Sequence, residues 1–125
     1  MRFAVLGAGS WGTALAMQMA RNGDTLLWGR DADAIQAMHA SRTNERYLPG
    51  VAFPDRLTPT HDLAQAIADA DAVLVVCPSH AFHDILDQVK PLLNNKPLAW
   101  ASKGFEPGTG RFLHQVAEEV LGEDY

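Results

Sequence analysis

One cysteine, Cys77, is all that this 125-residue sequence holds, so no disulfide can form within the chain. Its place at the end of the run Ala72-Val-Leu-Val-Val-Cys77 reads as a small buried hydrophobe and suits a reducing compartment. No apolar run approaches the roughly 20 residues that a membrane span requires. The opening Met1-Arg-Phe-Ala-Val-Leu6 is too short for the apolar region of a secretory signal. A soluble, cytoplasmic protein with no membrane partner is therefore expected. A basic stripe is also missing: 10 Lys and Arg stand against 15 Asp and Glu, a net charge of −5. That balance argues against a nucleic-acid surface. His39, His61, His83 and His114 show no metal-ligand spacing with one another or with Cys77, and no metal is expected.

What is present is ordinary for one globular domain, with 47% hydrophobic and 20% charged residues. The apolar pattern alternates between short continuous runs and helical spacing, as βα units around a parallel sheet require. Phe3–Leu6, Thr25–Trp28, Leu57–Thr58, Ala72–Val76 and Pro97–Ala101 read as strands. Between them, Ser10–Asn22 reads as a helix stopped by Asn22-Gly23, and Asp31 caps a second helix reaching about Ala40. Thr60 or Asp62 opens an alanine-rich third helix ending at Ala70. Ser79 caps a fourth, whose Phe82, Ile85, Leu86 and Val89 share one face. A loop with Gly104, Pro107, Gly108 and Gly110 precedes a last helix carrying Leu113, Val116, Ala117 and Val120, with Gly122 as its stop. From Ser41 to Pro59 the periodicity fails, and a long surface excursion is expected there. The predicted architecture is a Rossmann-type doubly wound sheet, ordered 3-2-1-4-5, with helices on both faces. The chain is expected to stop before the sixth strand.

Gly7-Ala8-Gly9-Ser10-Trp11-Gly12 is a G-x-G-x-x-G. The bare pattern is common, but this one directly follows a buried strand and opens a helix within a βαβ unit. Gly7 permits the tight turn, Gly9 lets backbone amides approach a pyrophosphate, and Gly12 lets the helix pack closely on the strand. The helix N-terminus then offers unpaired N–H groups and a partial positive charge to phosphates. A purely structural glycine turn, or an adenosine site of methyltransferase type, would carry the same pattern. The second strand ends in Trp28-Gly29-Arg30, with no acid at the position where one would hold the ribose 2′-hydroxyl of NAD. Arg30 can instead pair with a 2′-phosphate and stack on adenine, or be a solvated loop cation. Asp31 and Asp33 follow it, both explicable as first-turn helix acids. NADP is favoured and NAD stays open.

Two more segments lie at strand carboxyl ends, where an open parallel sheet places its ligand crevice. In Cys77-Pro-Ser-His-Ala-Phe82, Phe82 could face the core or a nicotinamide, and His80 a ligand or solvent. In Ala101-Ser-Lys-Gly104, Lys103 beside a permissive glycine suits an anionic group, or is simply a solvated lysine.

The segments Gly7-Ala-Gly-Ser-Trp-Gly-Thr-Ala-Leu-Ala16, Leu27-Trp-Gly-Arg30, Asn44-x-x-Tyr-Leu-Pro-Gly50, Val76-x-Pro-Ser-His80 and Ser102-Lys-Gly104 together resemble the bacterial NAD(P)-dependent glycerol-3-phosphate dehydrogenases. Order and spacing agree over the whole chain. The resemblance implies reduction of dihydroxyacetone phosphate by NAD(P)H to sn-glycerol 3-phosphate, the backbone of phospholipids. It also implies that Ser10, Trp11 and Arg30 contact the cofactor, that Lys103 contacts cofactor and substrate, and that Phe82 lies beside the dinucleotide. It leaves a homodimer open for the complete protein.

Members of that family continue into a helical second domain, which supplies the catalytic lysine and most phosphate-binding groups. Residues 1–125 are thus expected to be one dinucleotide-binding domain with no catalytic residue of its own. Two rivals remain at this level. One is the cofactor domain of another two-domain hydroxy-acid dehydrogenase, against which Trp11 and Lys103-Gly104 speak. The other is a stand-alone module that senses NADP without turnover.

Overall fold

The computed structural model describes residues 2–46, 48–76, 79–93 and 96–100. Cys77, residues 101–125 with Lys103 and the expected last helix, and the side chains of Ser10, Ser79, His80 and Phe82 lie outside the described set.

The chain runs β1 (Phe3–Leu6), α1 (Ser10–Met19), β2 (Thr25–Trp28), α2 (Ala32–Ser41), β3 (Thr43–Asn44), β4 (Leu48–Ala52), β5 (Leu57–Thr60), α3 (Leu63–Asp69), β6 (Ala72–Val75), α4 (Ser79–Leu93) and β7 (Leu98–Trp100). Five of these strands form one sheet in the order β5-β2-β1-β6-β7, every pair parallel. With the two short strands set aside, this is the 3-2-1-4-5 order that the βα alternation predicts. Central parallel strands bury both faces, which is why they read as unbroken apolar runs rather than alternating ones.

Alternation reappears in which layer each side chain meets. From β1, Ala4 and Leu6 enter a core with Ile67 of α3 and Ile85, Leu86, Val89 and Leu93 of α4. Val5, between them, joins Ala16 of α1 and Ile35 and Met38 of α2 on the other side. In β2, Trp28 faces the first core and Leu27 the second. A buried Leu or Ile contributes about 1.5–3 kcal/mol, so two filled layers suffice to hold the sheet between its helices.

The helix starts follow local chemistry. Asp31 caps α2, its Oδ1 accepting from the N–H groups of Asp33 at 3.0 Å and Ala34 at 3.2 Å. Of the two candidates before α3, Asp62 is the cap, accepting from the Gln65 N–H at 3.0 Å. Thr60 supports it by accepting from the Asp62 N–H at 3.1 Å.

The stretch from Ser41 to Pro59 departs from expectation. It is not only a surface excursion, because β3 and β4 pair antiparallel as a separate two-stranded sheet. Asn44 and Phe53 of this stretch are buried. A hairpin of two and five residues with proline and glycine in its second strand has no readable alternation, so the sequence hides it.

Candidate functional site

The turn from β1 into α1 gives each of its three glycines a different role. Gly7 has φ 131°, a conformation that L side chains rarely adopt, and its N–H donates to the Trp28 carbonyl at 2.9 Å. At Gly12 a Cβ would lie 1.9 Å from the Gly7 carbonyl oxygen, so the first turn of α1 can sit on the strand end only without a side chain. Both glycines are required by the protein itself.

Gly9 is not. Its φ of −76° and ψ of −172° suit any residue, and a Cβ there would meet no atom of the described residues within 4 Å. It is the N-cap of α1 and offers no side-chain cap. The first bond of the helix runs from the Thr13 N–H to the Gly9 carbonyl at 2.9 Å. The N–H groups of the first turn therefore have no intrahelical acceptor and carry the positive end of the helix dipole. Space, unpaired donors and positive potential coincide beside Gly9. A diphosphate is the kind of group that this combination fits.

The tip of β2 packs against the same loop. Gly29 is buried, and a Cβ on it would stand 3.0 Å from both the Ala8 Cβ and the Ile35 Cδ1. Arg30 follows, exposed and without an ion pair among the described residues. The acids after it do not compete for the same role: Asp31 is engaged in capping α2, and Asp33 lies in the first turn of that helix. Trp11, in the first turn of α1, is 59% exposed, unusual for an indole with no partner surface.

A contact that sequence reasoning missed reaches this loop from the hairpin. Asn44, 2% exposed, donates from Nδ2 to the Ala8 carbonyl at 3.1 Å and to the Thr13 Oγ1 at 2.8 Å. These partners lie 36 and 31 residues away, and a lone Asn in an aperiodic stretch gives no signal of such pairing.

Elsewhere, His83, Asp84 and Asp87 bring possible metal-ligand atoms within 4.8 Å of one another on α4. They are a half-exposed histidine and two exposed acids, with His83 Nδ1 and Asp87 Oδ2 3.2 Å apart in an i,i+4 surface pair. At the opposite, amino ends of the strands, the Arg56 guanidinium bonds Asp24 at 3.0 Å and holds its carboxyl below the usual range. No helix among the described residues is long and apolar enough to cross a membrane.

Residues 2–125 match the family model described as NAD-dependent glycerol-3-phosphate dehydrogenase N-terminus. A glycerol-3-phosphate dehydrogenase of the NAD(P)+ type from Stenotrophomonas maltophilia is 57% identical over 125 residues, which cover 98% of this chain and 37% of that protein. The crystal structure of a glycerol-3-phosphate dehydrogenase from Coxiella burnetii superposes with a TM-score of 0.91 at 42% identity, over 98% of this chain and 38% of that one. A yeast glycerol-3-phosphate dehydrogenase superposes with a TM-score of 0.83 at 26% identity, over 98% and 39% of the two chains. The chain thus spans a little over a third of the length of the relatives it matches.

Proposed function

This chain belongs to the family of glycerol-3-phosphate dehydrogenase N-terminal domains, and from that premise we propose that it holds the nicotinamide dinucleotide of an oxidoreductase interconverting dihydroxyacetone phosphate and sn-glycerol 3-phosphate. The observation that carries the proposal is the open space beside Gly9, over the uncapped start of α1. Neither backbone conformation nor packing explains a glycine there, whereas a diphosphate lying on the helix N-terminus does.

In this reading Gly7 and Gly12 shape the turn, and the backbone N–H groups from Gly9 through the first turn of α1 bind the diphosphate. Ser10 and Trp11 lie where cofactor contacts are expected, and the exposed indole of Trp11 gains a partner when the dinucleotide lies across it. Arg30 stands at the β2 tip, where the adenosine ribose ends in an open sheet of this kind. With Asp31 committed to its helix, Arg30 offers charge-assisted hydrogen bonds to a 2′-phosphate, which favours NADPH over NADH. Phe82 is assigned beside the dinucleotide, and Lys103 between cofactor and substrate.

When bound, the cofactor supplies hydride chemistry between its ring and the ketone carbon of the substrate. In this reading the described residues bind and orient, and no proton donor to the developing alkoxide is assigned among them. Lys103 is assigned to anion binding and electrostatic assistance. The product, sn-glycerol 3-phosphate, is a precursor for phospholipid synthesis.

The test is turnover by the protein expressed from its complete reading frame. Loss of NADPH absorbance with dihydroxyacetone phosphate, and none with a hydroxy acid's keto form, is the expected result. Tight NADPH binding without turnover on dihydroxyacetone phosphate would overturn the assignment of substrate.

A further inference from the structure

The segment between α2 and β5 has no part in the function proposed above, yet it presses a buried amide onto the glycine loop. Asn44 is 2% exposed and Thr13 fully buried. Chemistry fixes the orientation of the Asn44 amide: a carbonyl only accepts, so the NH2 group and not the oxygen must face Ala8. Its two hydrogens then serve the Ala8 carbonyl at 3.1 Å and Thr13 Oγ1 at 2.8 Å.

The neighbouring chain is built to keep Asn44 in place. Arg42 ends α2 in the left-handed region, φ 59°, with its N–H on the Met38 carbonyl. Its guanidinium donates to the Pro54 carbonyl at 2.7 Å and lies 5.9 Å from the centre of the Phe53 ring. The Phe53 N–H returns to the Arg42 carbonyl at 2.7 Å, and the Phe53 ring is anchored in the core of the α1 and α2 face. Between these anchors, Thr43 pairs with Ala52 and Asn44 with Leu48.

We infer that Asn44 is a positioning residue of the dinucleotide site, holding the Ala8–Gly9 peptide so that the Gly9 N–H points at the diphosphate. In a trans peptide the C=O and N–H point in opposite directions, and no peptide among the described residues is cis. Drawing the Ala8 oxygen onto Asn44 therefore turns the Gly9 N–H to the opposite side of the peptide, away from that amide. Among the described residues, no backbone carbonyl accepts from that N–H. The peptide ends on a glycine, whose freedom would otherwise let the unit rotate. The bond to Thr13 ties the same amide to the first turn of α1, so loop and helix start keep one relative position.

The inference rests on the proposed dinucleotide reading, and its test separates the two. Asn44→Asp keeps size and shape; ionised, it cannot donate to the Ala8 carbonyl, whereas protonated it donates one hydrogen bond again. The protein expressed from its complete reading frame is titrated calorimetrically with NAD+, whose diphosphate diester keeps its charge between about pH 5 and 8. Adenosine, which has no phosphate, is followed in parallel at millimolar concentration by ligand-observed NMR.

For Asn44→Asp the expected NAD+ affinity is about tenfold or more below the parent at about pH 8, recovering as pH falls to about 5 while the parent stays flat. Asn44→Ala should lose NAD+ affinity at every pH without recovery, and adenosine should bind all three proteins alike. If Asn44→Asp fails to fold, Asn44→Ala carries the same comparison of NAD+ with adenosine. Unchanged NAD+ affinity in both variants, or equal losses for NAD+ and adenosine, would overturn the inference. A parent that binds neither NAD+ nor, in a further titration, NADPH overturns the proposed function itself.

Discussion

Gly9→Val and Gly12→Ala make a pair whose outcomes should be opposite, although the two glycines are three positions apart in one motif. At Gly9 the backbone is extended and a Cβ meets no described atom within 4 Å, so a side chain enters without backbone strain and restricts the unfolded chain. Restricting the unfolded chain adds about 0.4–1 kcal/mol, and losing glycine at this N-cap costs a comparable amount, so the net change in stability should be small. The branched side chain fills the space left for phosphate and blocks one or two hydrogen bonds to a charged group, each worth about 1.5–3 kcal/mol. One lost bond corresponds to roughly a 10- to 150-fold loss of affinity. At Gly12 a Cβ would stand 1.9 Å from the Gly7 oxygen, a backbone atom that cannot yield without moving the helix. Overpacking of that kind costs about 1–3 kcal/mol or more, from a total stability of about 5–15 kcal/mol. Differential scanning calorimetry with NADPH titration reads both quantities. Gly9→Val should keep the parent's Tm and lose NADPH binding, whereas Gly12→Ala should lose about 4 °C of Tm per kcal/mol. A Gly9→Val protein that binds NADPH as the parent does, or that unfolds, would refute the assignment of the open space to phosphate.

Arg30→Asp should lower NADPH affinity by an order of magnitude or more relative to NADH, from loss of a charge-assisted contact worth about 1.5–3 kcal/mol; equal proportional losses would remove Arg30 as the discriminator. Asp31→Ala deletes the cap of α2 and should cost about 0.5–2 kcal/mol in denaturant unfolding while leaving the NADPH-to-NADH preference intact. A changed preference would show that Asp31 and not only Arg30 faces the ribose. Arg56→Ala should return the titration of Asp24 upwards toward the ordinary carboxylate range, seen by carboxyl NMR. Asp24 contributes its stability above the unfolded-state value and loses it as pH falls through the lowered folded one, so the parent should hold that contribution to lower pH than the variant. If, as the family resemblance implies, a second domain completes the substrate site, residues 1–125 alone should bind NADPH but show no reduction of dihydroxyacetone phosphate, because half a site forgoes most of the roughly 7–11 kcal/mol available from orientation. Sustained turnover abolished by Lys103→Ala would contradict that expectation.

The sheet and its order were legible because buried parallel strands leave unbroken apolar runs, and helices between them leave a period of 3.6 residues. Asp31 as a helix cap was legible for a similar reason, since a cap is a local bond between residues two and three apart. The glycine motif gave the turn and a separate role for each of its three glycines. The packed structure adds the physical ground for Gly12, where a Cβ would be driven into the Gly7 oxygen, and for Gly9, where a Cβ meets no described atom within 4 Å. The acids behind Arg30 were legible as acids of the α2 start, and the Asp31 carboxylate does accept from the Asp33 and Ala34 N–H groups. The hairpin was not legible at all. Its strands are too short for a period, and Asn44 takes its meaning from Ala8 and Thr13, more than thirty residues earlier. Sequence alone determined what short-range chemistry dictates: which runs bury, which residues cap, where the turn must be glycine. Tertiary structure decided the rest, because a buried amide finds its acceptors only after distant segments have packed together.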